Sequence, residues 1–132
     1  MSFSDYLENK LLDHLLKGTA YTAETNLFVR LFTADPGDSF TDGTEVSGGS
    51  YARVTHNTWN AAAAGSATND GAITFATATG TWGVITYVAI LNNLTATAST
   101  NILAAAALDT SKTVLNQDTV SFADEALKIT LD

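Results

Sequence analysis

The period of the apolar residues changes at Gly18, and that change limits what the chain can become. Before it, Leu7, Leu11 and Leu15 recur four apart, with Leu12 and Leu16 widening the stripe, so the segment up to Lys17 predicts an amphipathic helix. Ser2 and Ser4 are both suitable N-caps, and Ser2 with Asp5 resembles a capping box. Asp5 and Glu8 in the first turn and Lys17 in the last complement the helix dipole, and Gly18 marks the stop. One face of this helix must be buried, against its own domain or a neighbouring subunit. The sequence leaves both open.

After Gly18 the spacing is that of strands. Asn26 to Thr33 is apolar on both faces, interrupted only by Arg30, and reads as a central strand. Asp35-Pro36-Gly37-Asp38 is a turn that opens a loop running to about Ser50. Tyr51 to Thr58 reads as a strand, Trp59 to Thr68 as a connection of ambiguous period, and Asn69-Asp70-Gly71 as a turn. Ala72 to Thr77 points Ile73 and Phe75 inward, and Trp82 to Leu91 is the best candidate for a fully buried strand. Ile102 to Leu108 reads as a strand, although its Ala run also permits a short helix. Thr113 to Leu115, Thr119 to Phe122 and Ala126 to Leu131 complete the set. The expectation is a mainly β chain: residues 1–18 form an N-terminal α-helix, and residues 19–132 a single-domain β-sandwich or jelly-roll-like barrel.

Composition narrows the partners. Fourteen acidic against six basic residues give a net charge of −8, which disfavours nucleic acid and anionic membrane surfaces. No apolar run approaches the roughly 18 residues of a membrane span, and residues 1–13 lack the pattern of a signal peptide. With no cysteine there is no disulfide, thiol chemistry or Cys-based metal site. Charged residues make up 15%, below the roughly 25% of soluble domains, and Ala and Thr replace them. Such a weakly charged, finely textured surface suits a protein packed against neighbours.

No constellation in the sequence predicts chemistry. Asp35, Asp38, Asp42 and Glu45 offer oxygen ligands, but their spacing does not match a calcium loop; a solvated turn is the main reading and calcium the alternative. Asp13 and His14 are adjacent and point about 100° apart on a helix, so they do not pair as acid and base. His56 has no second metal ligand nearby, and the pattern of a nucleophile elbow is absent. Gly48-Gly49 and Gly80 with Gly83 lack the lysine and helix of a phosphate loop and serve tight turns. Trp59 and Trp82 suit core packing, with sugar stacking as the alternative. Asn93-Leu94-Thr95 fits the glycosylation pattern without an export signal to support it. No catalytic, cofactor or metal residues are expected, and the chain is read as a non-enzyme.

Several blocks carry a resemblance. The opening MSFSDYLENKLLDH, then LFVRLFTADPGD from Leu27, GTEVSGGSYAR from Gly43, Ala72-Ile73-Thr74-Phe75, Trp82-Gly83 and the closing Leu127 to Asp132 are similar to a family of small tailed-phage virion proteins commonly labelled phage tail fiber proteins. The likeness covers nearly the whole chain and implies a virion structural role, with synthesis in the host cytoplasm. A fibre shaft needs repeats to propagate along an axis, and none is present. The resemblance is therefore read first as a capsid decoration, or cement, protein that bridges major capsid protein subunits as a homo-oligomer, a trimer being favoured. The alternatives are a fibre, baseplate or adaptor component of the tail and, less favoured, a carbohydrate-binding module. Phe3, Tyr6, Leu7, Leu11 and Leu15 are the candidates for capsid or oligomer contact; Asp35, Asp38, Asp42, Glu45 and Trp59 are those for a ligand or partner loop.

Overall fold

The choice between two capping serines falls on Ser4. In the computed structural model, which describes residues 1–37 and 42–131, Ser4 is extended and its hydroxyl accepts a hydrogen bond from Leu7 N–H at 3.2 Å. The same hydroxyl donates to the Ile102 carbonyl at 2.6 Å, and Ser4 N–H donates to Leu103 O at 2.9 Å. Ser4 thus starts the helix and ties it to the sheet in one place. Gly18 ends it as expected, at φ +69°, with Lys17 and Thr19 N–H both turning back to Asp13 O.

In chain order the elements are β1 (Ser2–Phe3), α1 (Asp5–Leu16), β2 (Phe28–Phe32), β3 (Val54–Thr55), β4 (Ser66–Thr68), β5 (Ile73–Thr74), β6 (Gly83–Leu91), a 3₁₀ turn (Ser99–Asn101), β7 (Ile102–Val114), β8 (Ser121–Phe122) and β9 (Lys128–Thr130). Five strands form an antiparallel sheet in the order β1-β7-β6-β2-β3. The ladders β4-β9 and β5-β8 stand apart from it. The chain is mainly β with one N-terminal helix. Among the described residues the strands outside the main sheet pair only as these two short ladders, not as the second full sheet of a sandwich.

The main core lies on one face of the sheet. Val29, Leu31, Ile85, Val88 and Val114 pack there with Ile73, Phe75, Trp82 and Leu127. Ile85 and Val88 share that face despite their odd spacing because the β6–β7 register shifts between Ile85 and Tyr87, a bulge that sets Thr86 out of step. Phe32, Ala89, Leu91, Ile102 and Ala105 form a second cluster. The stretch expected to be the fully buried strand forms β6 at the centre of the sheet; it is buried at Ile85 and from Val88 to Leu91, while Val84 is exposed. The Ala run after Ile102 forms no helix; it joins the separate segment read at Thr113 into the single 13-residue strand β7. Ala104 and Ala105 pair with β1 on one side and β6 on the other.

The C-terminal ladders are held by Asn69. It is fully buried, and its amide donates to Gly71 O at 2.7 Å and Ala123 O at 2.9 Å, while its carbonyl oxygen accepts from Leu127 N–H at 2.8 Å. Asp124 accepts from Gly71 N–H at 2.8 Å beside it. A buried side-chain amide with each bond satisfied fixes one register between two segments far apart in sequence.

Replacing Ser4 with alanine removes the cap and leaves the Ile102 carbonyl without its donor. The expected cost is roughly 2 kcal/mol. Hydrogen exchange should quicken through residues 5–10 in S4A while the amides of β6 stay protected; unchanged exchange in the helix would contradict the dual role.

Candidate functional site

Arg30 is the residue that the strand pattern least allows. It sits in β2 between β3 and β6 and is 5% exposed. A buried guanidinium needs a countercharge, and Glu45 supplies it: Arg30 Nε lies 3.0 Å from Glu45 Oε2. The charges pair although neither Nε nor Nη1 completes a directed hydrogen bond, and the guanidinium carbon rests 4.3 Å from the centre of the Phe32 ring. Glu45 also receives Arg53, whose Nε and Nη2 donate to Oε1 and Oε2 at 2.8 Å each. This is a two-pronged pair of the strong kind. Arg53 Nη1 donates to the carbonyls of Asn93, Leu94 and Ala96, pinning the turn after β6. The Asn93 side chain caps that turn by accepting from Thr95 and Ala96 N–H.

Tyr51 connects the charges to the core. Its hydroxyl accepts from Leu31 N–H at 2.9 Å and donates to Glu45 Oε1 at 3.2 Å. Its ring stacks on Phe75 and meets Trp82 edge-on. Burial alone would raise the Glu45 carboxyl, but the Arg53 hydrogen bonds and the two nearby guanidinium charges outweigh it and hold the group below the usual carboxylate range. Burial pushes Arg30 down against the pull of Glu45, whereas the bond to Glu45 raises Arg53. Burial is also the main cause that raises the Tyr51 phenol. Glu45 and Arg53 each favour the charged form of the other, and both oxygens of the Glu45 carboxylate are engaged by the arginines.

The described residues among those expected to form a partner loop have different surroundings. Glu45 is turned inward on the arginines. Asp35 accepts from Gly37 N–H and from the Tyr87 hydroxyl, both within 2.9 Å. Asp42 is exposed, and Asp38 lies outside the described residues. Trp59 is half-buried on His56, with its indole N–H donating to His56 O. Trp82, 5% exposed, donates to Gly49 O at 2.9 Å, and a Cβ at Gly49 would come within 2.9 Å of that indole nitrogen. Close approach is thus the use of Gly49. Among the described residues no group of three or more His, Asp or Glu side chains converges as a metal site would require.

The helix candidates have a different fate. Phe3, Tyr6, Leu7 and Leu11 are half-buried, but no helix residue is fully buried. Leu12, Leu15 and Leu16 are 54%, 75% and 79% exposed. The expectation that one face of α1 is buried is met only partly within a single chain. Sequence reasoning did not single out Arg30 with Glu45 and Arg53; the signal was there in an arginine that breaks an otherwise apolar strand.

A protein-family model described as Podophage GP4 fiber I protein gp80 matches residues 2–130. No curated protein matches the chain.

Glu45→Gln preserves shape but leaves two arginines without a countercharge. The expected loss at pH 7 is roughly 3 kcal/mol, or about 10 °C in the melting midpoint. Because the folded carboxyl titrates below its unfolded value of about 4.3, this contribution is present above that pH and disappears as pH falls through the lower folded value. Urea melts from pH 7 to pH 2 should show wild type and E45Q converging in acid. A gap that stays constant over that range would show that the charge is not what stabilises the cluster.

Proposed function

The chain belongs to the Podophage GP4 fiber I protein gp80 family and is a phage virion structural protein, and from that premise we propose that it is a non-enzymatic fibre component that works by packing against other virion proteins. The family match, which spans nearly the whole chain, carries this reading. The exposed leucines of α1 support it. A helix whose lower half faces water with three large apolar side chains is incompletely partnered, and a neighbour in an assembly completes it. Leu12, Leu15 and Leu16, with Phe3, Tyr6, Leu7 and Leu11 behind them, are the proposed contact element. The interior suits such a role: the charges are spent on one another, and the aromatics are spent on the core.

The cement reading has one observation in its favour. Among the described residues the strands form a repeat-free β fold, with no run of repeats that would extend along an axis. On that reading the protein would bridge capsid subunits, with a trimer as the favoured state.

Copy number separates the two. Quantitative mass spectrometry of purified particles should give a count that is a small multiple of the tail's rotational symmetry, with immunogold label at the tail; hundreds of copies around the head would favour cement. Leu15→Glu combined with Leu16→Glu should leave stability within about 0.5 kcal/mol, since both side chains are in water. The same double variant should be depleted from particles. Normal incorporation would remove α1 from the contact surface.

A further inference from the structure

We propose that the open face of α1 docks an amphipathic helix of another protein, apolar in its first turns and basic in its last; this deepens the functional reading above and rests on it. Helical spacing puts Asp5, Glu8, Leu12, Leu15 and Leu16 on one side of α1. All five are exposed, whereas the side with Leu7 and Leu11 is half-buried. The open face is therefore acidic in its first turns and apolar in its last.

The nearest lysines are engaged away from that face. Lys17 lies 3.5 Å from Asp13, and the Lys10 ammonium sits 5.6 Å from the centre of the Tyr6 ring. Among the described residues Asp5 and Glu8 form no ion pair. Covering two carboxylates with apolar groups would strip their water without a countercharge, so the partner must bring cations to them as it covers the leucines. The direction of packing follows. Cations are favoured at the C-terminal end of a helix, so an antiparallel partner lays its basic last turns over Asp5 and Glu8 and its apolar first turns over the leucines. A second α1 does not meet this demand. In full overlap a parallel copy sets acids against acids, and an antiparallel copy sets leucines on carboxylates. An overlap of the leucine ends alone covers only about one turn. The net charge of −8 adds repulsion between copies.

The test uses the intact chain and two acetylated, amidated, fluorescein-labelled peptides of about 18 residues, long enough to hold a helix. Both carry leucines at helical spacing in the first half; the second half carries Lys in one and Glu in the other. By fluorescence anisotropy the Lys peptide should bind at least about tenfold more tightly, and it should slow amide exchange in α1. The exposed pair Asp5→Asn with Glu8→Gln should erase most of that preference. Leu15→Gln with Leu16→Gln should weaken binding of the Lys peptide at least about tenfold. Asp109→Asn with Glu125→Gln removes the same charge from exposed acids off the helix and should leave the preference in place. Absence of binding by both peptides, equal binding, or an equal loss in the Asp109 and Glu125 control would overturn the proposal. So would self-association of the free chain that protects α1, which would assign the face to a second copy. In purified particles the Asp5 and Glu8 variant should be depleted relative to that control. If it is incorporated normally while Leu15→Glu with Leu16→Glu is depleted, the basic partner fails and α1 remains a contact. If the wild-type chain is absent from particles, the virion reading fails and the peptide titration alone decides the face.

Discussion

One carboxylate organises four segments of this protein. Arg30 lies within a sheet, where its charge is tolerable only if a carboxylate reaches it, so the chain after β2 must return to the same strand. It does: Glu45 bridges to Phe32, and Val46 N–H donates to Leu31 O. Glu45 in turn draws in Arg53, which directly precedes β3, and the segment around Glu45 and β3 share the outer edge of β2. The donors that Arg53 has left then hold the turn at 93–96. Burying three charges is costly, and a buried ion cluster of this kind is weak evidence for net stability. Its evident effect is to allow one arrangement of these segments.

The same economy explains what remains at the surface. The two arginines are occupied inside, which leaves an acidic exterior with few charges per residue and many small side chains. Against that background the lower half of α1 stands out, with its leucines in water. It is a surface whose apolar groups are only partly satisfied within one chain. A structural protein of a virion needs such a surface, since its partners supply what the isolated chain lacks.

Much of this was legible in the residues. The helix and its stop at Gly18, the strand from Trp82 to Leu91, the inward Ile73 and Phe75 and the turn at Asn69 follow from period and turn chemistry, and they hold. The strand β4 was missed because Ser66-Ala67-Thr68 has no apolar signal and forms only because β9 is available to pair with it. The long β7 was divided because its middle, from Asp109 to Ser111, is polar; the pairing with β6 breaks there and resumes at Lys112, so the two parts belong to one strand. Of the residues expected to form a partner loop, Glu45 carried the opposite meaning, since spacing shows which acids are near in sequence and not which cation lies across the fold.

The sequence by itself determined the class of structure, the place of the helix, the strands with strong alternation and the family. Those depend on local period, capping and turn conformation, which neighbouring residues dictate. Only the tertiary structure decided that Glu45 joins Arg30 to Arg53, that Asn69 clasps the C-terminal ladders, and that the leucines of α1 face outward. Each of these depends on which distant segments meet, and pairing across the chain has no periodic signature to read.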